Sequence, residues 1–153
     1  MHEYAGNLHI HTRYSDGEKW HKELAHDAAR AGLDFIVVTD HNVWVQGVEG
    51  YYDFPEGRVL LLTGEEVHDP RRRPQANHFL VYGTEQEMSP YAREPQELIQ
   101  ATNTAGGCGF LELGEGQVSS HSGYFSGKTP AAGRGRLMTF CAHFGEEALP
   151  QYR

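Results

Sequence analysis

Two histidines one residue apart, His9 and His11, sit inside an apolar run near the start of the chain, and Asp16 follows them beside Gly17. On a β-strand, residues i and i+2 project from one face, so both imidazoles reach toward a common point, the geometry needed to grip one divalent metal ion. A single histidine is more often a hydrogen-bonded or surface residue than a ligand. Two on one buried face incur desolvation with no return unless something holds them. Further along, Thr39-Asp40-His41-Asn42 stands where a second apolar run ends. Glu65 follows a third run, and His78 begins a fourth. His9, His11, Asp16, His41, Glu65 and His78 are therefore the candidate metal ligands. Asp40 is a candidate for orienting a ligand histidine from behind.

The elements that must position these groups follow from hydrophobic period. Residues Ala5 to Thr12 predict a strand and Glu18 to Ala31 a helix, ended by Gly32. Phe35 to Val38, a continuous apolar run, predicts a parallel strand covered on both faces. Strands are also expected at Val59 to Leu62, His78 to Tyr82 and Cys108 to Leu113, with a helix over Pro90 to Thr104. Gly106-Gly107 reads as the terminator of that helix. The order is that of an α/β protein, in which ligands gather at the carboxyl ends of the strands.

The segment between Glu65 and His78 is short and contains Pro70, Pro74 and Arg71-Arg72-Arg73, which leaves no room for a helical crossover and predicts a hairpin. A turn centred between Arg71 and Arg72 would set Glu65 opposite His78, with Cβ atoms about 5 Å apart. Beyond Leu113 the chain turns rich in Gly, Ser and Thr with little apolar period. Leu137 to Phe144 is its one short apolar stretch. Residues 1–113 thus read as the metal-binding domain and 114–153 as an atypical tail.

Composition removes several function classes. At 153 residues the chain fits one domain and is short for a full α/β barrel. Its formal charge of -8 disfavours nonspecific nucleic-acid binding. No apolar run approaches the roughly 18 residues that span a bilayer, and the N-terminal residues lack a secretory pattern, so a cytoplasmic location is expected. Cys108 and Cys141 have no CxxC spacing and read as reduced thiols. His2, His21, His26 and His68 read as solvent-facing or capping residues. His121 and His143 fall in the unpatterned tail.

The ordered set "HIHTRYSDG", "TDHN", "GEE" after an apolar strand, and "NHFLVYG" resembles the successive motifs of the PHP family, the polymerase and histidinol phosphatase domains, over residues 6 to 111. The resemblance implies an incomplete or distorted (β/α)7 TIM-like barrel and divalent metal ions (Zn, Mn or Fe), up to three in the family and fewer here. It implies that His9, His11 and Glu65 bind one ion, Asp16 and His41 a second, and His78 with a bridging Glu65 a third. The chain departs from the family after "GGCGFL": a His-Pro is expected there, and "ELGEGQ" follows. A later Asp-x-His motif is also missing.

The function implied is a metal-dependent phosphoesterase in which a metal-activated water attacks the phosphate of a small phosphorylated substrate. Arg13 and Arg71, Arg72 or Arg73 are expected to hold the nonreacting phosphate oxygens. The rival reading is a catalytically inactive metal-binding or self-assembling module, since an unclosed barrel leaves strand edges that a second copy can cover.

Overall fold

The computed structural model describes residues 3–71, 77–113 and 139–142. Its elements are β1 (Tyr4–Ile10), α1 (His21–Arg30), β2 (Phe35–Val38), β3 (Gly50–Phe54), β4 (Gly57–Val67), β5 (Asn77–Tyr82), a 3-10 turn (Ser89–Tyr91), α2 (Pro95–Thr104), β6 (Cys108–Leu113) and β7 (Thr139–Ala142). The seven strands form one mixed sheet in the order β6-β5-β4-β2-β1-β7, with β3 also on β4. This is the expected α/β class, a distorted TIM-like barrel that is incomplete among the described residues.

The long strand β4 organises the sheet. One edge pairs in parallel with β2, from Phe35↔Leu60 to Val38↔Thr63. Its other edge pairs antiparallel with β3 over Gly57 to Leu61 and then with β5 over Gly64 to Val67. No strand is expected from the sequence over β3, where Gly50 and Asp53 interrupt Tyr51, Tyr52 and Phe54, although these aromatic residues are good strand formers. A hairpin does join β4 to β5, but in another register: Glu65 lies opposite Val81, and His78 stands beyond the last pair, Val67↔Phe79. The strand runs on to Val67 rather than ending at Leu62.

Three apolar clusters hold the layers together. Leu24, Ala25, Ala28 and Ala29 of α1 pack on Ile36, Val38, Val59 and Leu61. On the opposite sheet face Phe35, Val37 and Leu60 gather with Leu8, Leu62 and Tyr82. Val67, Val81, Met88 and Leu98 form the third cluster, under α2. The all-buried Phe35–Val38 run serves two of these clusters at once, as its unbroken apolarity requires.

Helix α1 starts three residues later than expected, because Glu18 and Lys19 belong to a loop closed by the Arg13 N–H to Lys19 carbonyl bond. The second predicted helix is split. Pro90 lies in the 3-10 turn, and α2 begins at Pro95, whose missing N–H suits the first helical position and which forces Glu94 into extended backbone. Gly106, at φ 81°, terminates α2 as expected. Among the described residues no helix is long and apolar enough to cross a membrane.

Candidate metal centre

The site forms where β1, β2 and β4 end and β5 begins. In β1 the pairing with β2 slips between Asn7 and Ile10, a bulge whose freed His9 N–H donates to the Asn7 side chain at 3.0 Å. The rings of His9 and His11 lie edge to face with centroids 4.8 Å apart. Past Val38 the β2 to β4 ladder continues as single bonds: Glu66 N–H to the Asp40 carbonyl at 3.1 Å, and Asn42 N–H to the Glu66 carbonyl at 3.0 Å. These place His41 beside Glu66.

Glu66, 2% exposed, is the centre of the site. Its Oε2 lies 3.0 Å from His11 Nε2, 3.3 Å from His9 Nε2 and 3.5 Å from His41 Nδ1. Its Oε1 contacts His78 Nδ1. Burial alone would raise this carboxyl, but the close His11 ring and the charges of His9, His41 and His78 outweigh it and hold it down to about 2. Burial likewise opposes protonation of His11, and Glu66, Asp16 and Asp40 overcome it and raise its pKa.

Glu65 is not part of this cluster. The expectation that it binds metal is corrected by the period of β4: successive side chains point to opposite faces, and Glu65 shares the face of Val67 with the Met88 cluster. Its oxygens accept the N–H groups of Met88 at 2.6 Å and Ser89 at 2.9 Å. Burial raises its pKa to about 7, against the pull of the Met88 N–H and with help from Glu87. Glu66, not Glu65, is the carboxylate that stands among the imidazoles.

The remaining candidates are placed as follows. Three groups have donor atoms that all lie within 4.8 Å of one another: His9, His11 and Glu66; His11, Asp16 and His41; His41, Glu66 and His78. Asp16 reaches His11 Nδ1 at 3.4 Å and His41 Nε2 at 3.5 Å. Among the described residues Asp40 bonds no imidazole. It accepts Thr12 N–H at 2.7 Å, Thr12 O–H at 2.6 Å and Ser15 O–H at 2.7 Å, which clamps the loop that carries Asp16. Gly17 fits there because any Cβ would lie 2.2 Å from the His11 carbonyl oxygen.

Ring orientation is fixed from behind. His9 Nδ1 meets Thr39 Oγ1 at 2.8 Å. Because Ser15 donates to Asp40, His11 Nδ1 at 3.3 Å from Ser15 Oγ is a donor, so Nε2 is the nitrogen that a neutral ring would offer as a ligand.

Of the arginines expected to bind phosphate, the two described ones, Arg13 and Arg71, are not gathered with this cluster. Arg13 Nε donates to the Glu18 carbonyl at 2.6 Å, with its guanidinium over Trp20. Arg71 is exposed and bonds Asp69. Arg72, Arg73, His2, His121 and His143 lie outside the described residues. His21 is buried against Tyr14, and His26 meets Glu56 and Phe54.

His68, expected to be solvent-facing or capping, instead has its ring centroid 5.0 Å from His41 and 4.9 Å from His78. The sequence carries a signal for Glu66 and His68, which repeat the i, i+2 spacing of His9 and His11.

A family model of the PHP domain matches residues 7–112. The chain belongs to the PHP family. Comparison with curated proteins and with solved structures returns no match. In this PHP domain the matched segment runs from β1 into β6 and contains all six residues of the three donor groups.

The donor set fits divalent ions. Among the described residues His41 Nδ1, Glu66 Oε2 and His78 Nε2 are buried without a hydrogen-bond partner, although three imidazole nitrogens crowd within 3.5 Å of that one oxygen. Buried polar atoms left unpaired cost about 1–3 kcal/mol each. Imidazole and carboxylate donors converging on a shared point recover that cost when a cation lies between them.

Proposed function

We propose that this PHP domain is a phosphoesterase that holds two divalent ions, one on His9, His11 and Glu66 and the other on His41, Glu66 and His78, with Glu66 shared. The observation that carries the reading is the single buried carboxylate faced by four imidazoles. The count of two comes from lone pairs, since a neutral imidazole has one. His11 directs Nε2 to the first group, so its Nδ1 stays protonated toward Ser15 and Asp16. His41 directs Nδ1 to the second group, and its Nε2–H then points at Asp16. Asp16, with 68% of its side chain exposed, serves in this reading as the acceptor that orients two ligand rings rather than as the ligand of a further ion.

Divalent ions bound there lower the pKa of water and offset negative charge on a phosphoryl group. The chain's own part is to keep both groups in register through the β1 bulge and the Asp40 clamp. The substrate class is a small phosphate monoester. Elemental analysis of freshly purified protein, followed by assay of a generic phosphomonoester with Mn or Zn, tests the reading. Two ions per chain and metal-dependent phosphate release support it. Loaded protein without turnover rejects the enzyme.

A second reading, a metal-binding or self-assembling module without turnover, is favoured by one observation: His11, His41 and Glu66 each belong to two donor groups, so donors are few. It expects bound metal, no phosphate release and self-association in sedimentation.

A further inference from the structure

Resting on the two-ion reading, we infer that His68 is a fourth protein ligand of the His41, Glu66 and His78 group, recruited from the end of β4. Ring spacing carries the inference. Imidazole pairs within the donor groups have centroids 4.8 Å (His9 and His11), 4.5 Å (His11 and His41) and 5.4 Å (His41 and His78) apart. His68 stands 5.0 Å from His41 and 4.9 Å from His78, within that range.

Among the described residues its Nδ1 is buried with no hydrogen-bond partner, as is Nε2 of the His78 ring stacked on it at 25°. A surface or capping histidine would turn that nitrogen to water or to an acceptor.

The backbone of His68 is tied to the site. Its N–H donates to Asn42 Oδ1 at 3.0 Å, and Asn42 holds the left-handed φ of 52° while giving its own N–H to the Glu66 carbonyl. Asn is among the few side chains that adopt this conformation at small cost, so Asn42 couples the segment after His41 to the segment carrying His68. His68 follows the last residue of β4, two positions after Glu66. The donors within 4.8 Å of one another do not include His68, so ligation requires its ring to turn about the Cα–Cβ and Cβ–Cγ bonds.

Four protein donors leave that ion fewer open positions than the three-donor His9, His11 and Glu66 group keeps. Closed sites are the structural kind, and open ones admit water. Among the described residues the two groups are thereby unequal in donor number, and the His68 side is the better anchored.

The test is cobalt titration of metal-free full-length protein, with stoichiometry by elemental analysis and the visible Co(II) absorption as the readout of donor number. In H68A, and in H68Q, which retains polarity and bulk, one of two ions should bind at least about tenfold more weakly, the scale already seen when groups that merely orient ligands are lost. Its absorption should shift toward that of a site with fewer nitrogen donors, while the other ion is unchanged. X-ray absorption on the unaltered protein, counting imidazoles per metal, keeps the test decisive if either variant fails to fold. Affinities and spectra in both variants equal to the parent's, or an average of two imidazoles per metal in the parent, overturn the assignment of His68. No cobalt bound to the parent overturns the two-ion reading itself.

Discussion

Glu65 and Glu66 are adjacent in β4, and their carboxylates work on opposite faces of the sheet: Glu66 contacts His9, His11, His41 and His78, whereas Glu65 accepts the N–H groups of Met88 and Ser89. One residue of strand separates the metal centre from the support of the α2 layer.

Substitution at the two positions should therefore give different losses. E66Q should weaken metal binding by more than the roughly 10–100-fold typical of groups that only orient ligands, with the fold retained by circular dichroism. E65Q should keep both ions, yet lose about 1–3 kcal/mol in urea unfolding, because the amide offers one acceptor to two buried N–H groups. Equal metal loss in both variants would contradict the assignment.

The raised Glu65 carboxyl also predicts a pH dependence. With a folded pKa of about 7 against 4.5 for the free group, the native state binds the extra proton between those values. Stability of the metal-free parent relative to E65Q should then fall as pH rises from about 4.5 to 7, by up to roughly 3 kcal/mol, and level off above. Urea titrations of both proteins across that window measure it. A difference that grows with pH would count against the burial of an ionisable Glu65.

Asp16 provides a third check. If it orients His11 and His41, D16N should still bind two ions, with affinity lowered about 10–100-fold. Loss of exactly one ion from a parent that holds three would make Asp16 a ligand instead, and elemental analysis distinguishes the two.

Chelation should destabilise the protein. A ligand present at about 100 times its Kd adds roughly 2.7 kcal/mol to the folded state, so EDTA should lower the melting temperature of the parent by several degrees. E66Q should show no such drop. Thermal scans with and without chelator decide this.

Much of this arrangement is legible in the residues. The apolar Phe35–Val38 run and the HIH and TDHN motifs place β1, β2 and three of the six clustered residues. What escaped depends on register. Choosing between Glu65 and Glu66 needs the parity of β4, and that strand extends five residues past its apolar run because polar Thr63, Glu65 and Glu66 are buried within it. The hairpin turn was centred from loop composition, which does not specify pairing. His68 was judged singly, whereas its neighbours His41 and His78 come from other segments and meet it only once β4 and β5 pair.

The placement of β4 between β2 on one edge and both β3 and β5 on the other has a consequence for cooperativity. Every donor group draws on strands that touch through this spine or through the bulged end of β1, so a cation would act as a staple across distant parts of the chain. Fraying of β5 at His78 should then be felt as weakened grip at His9, with no direct contact between the two.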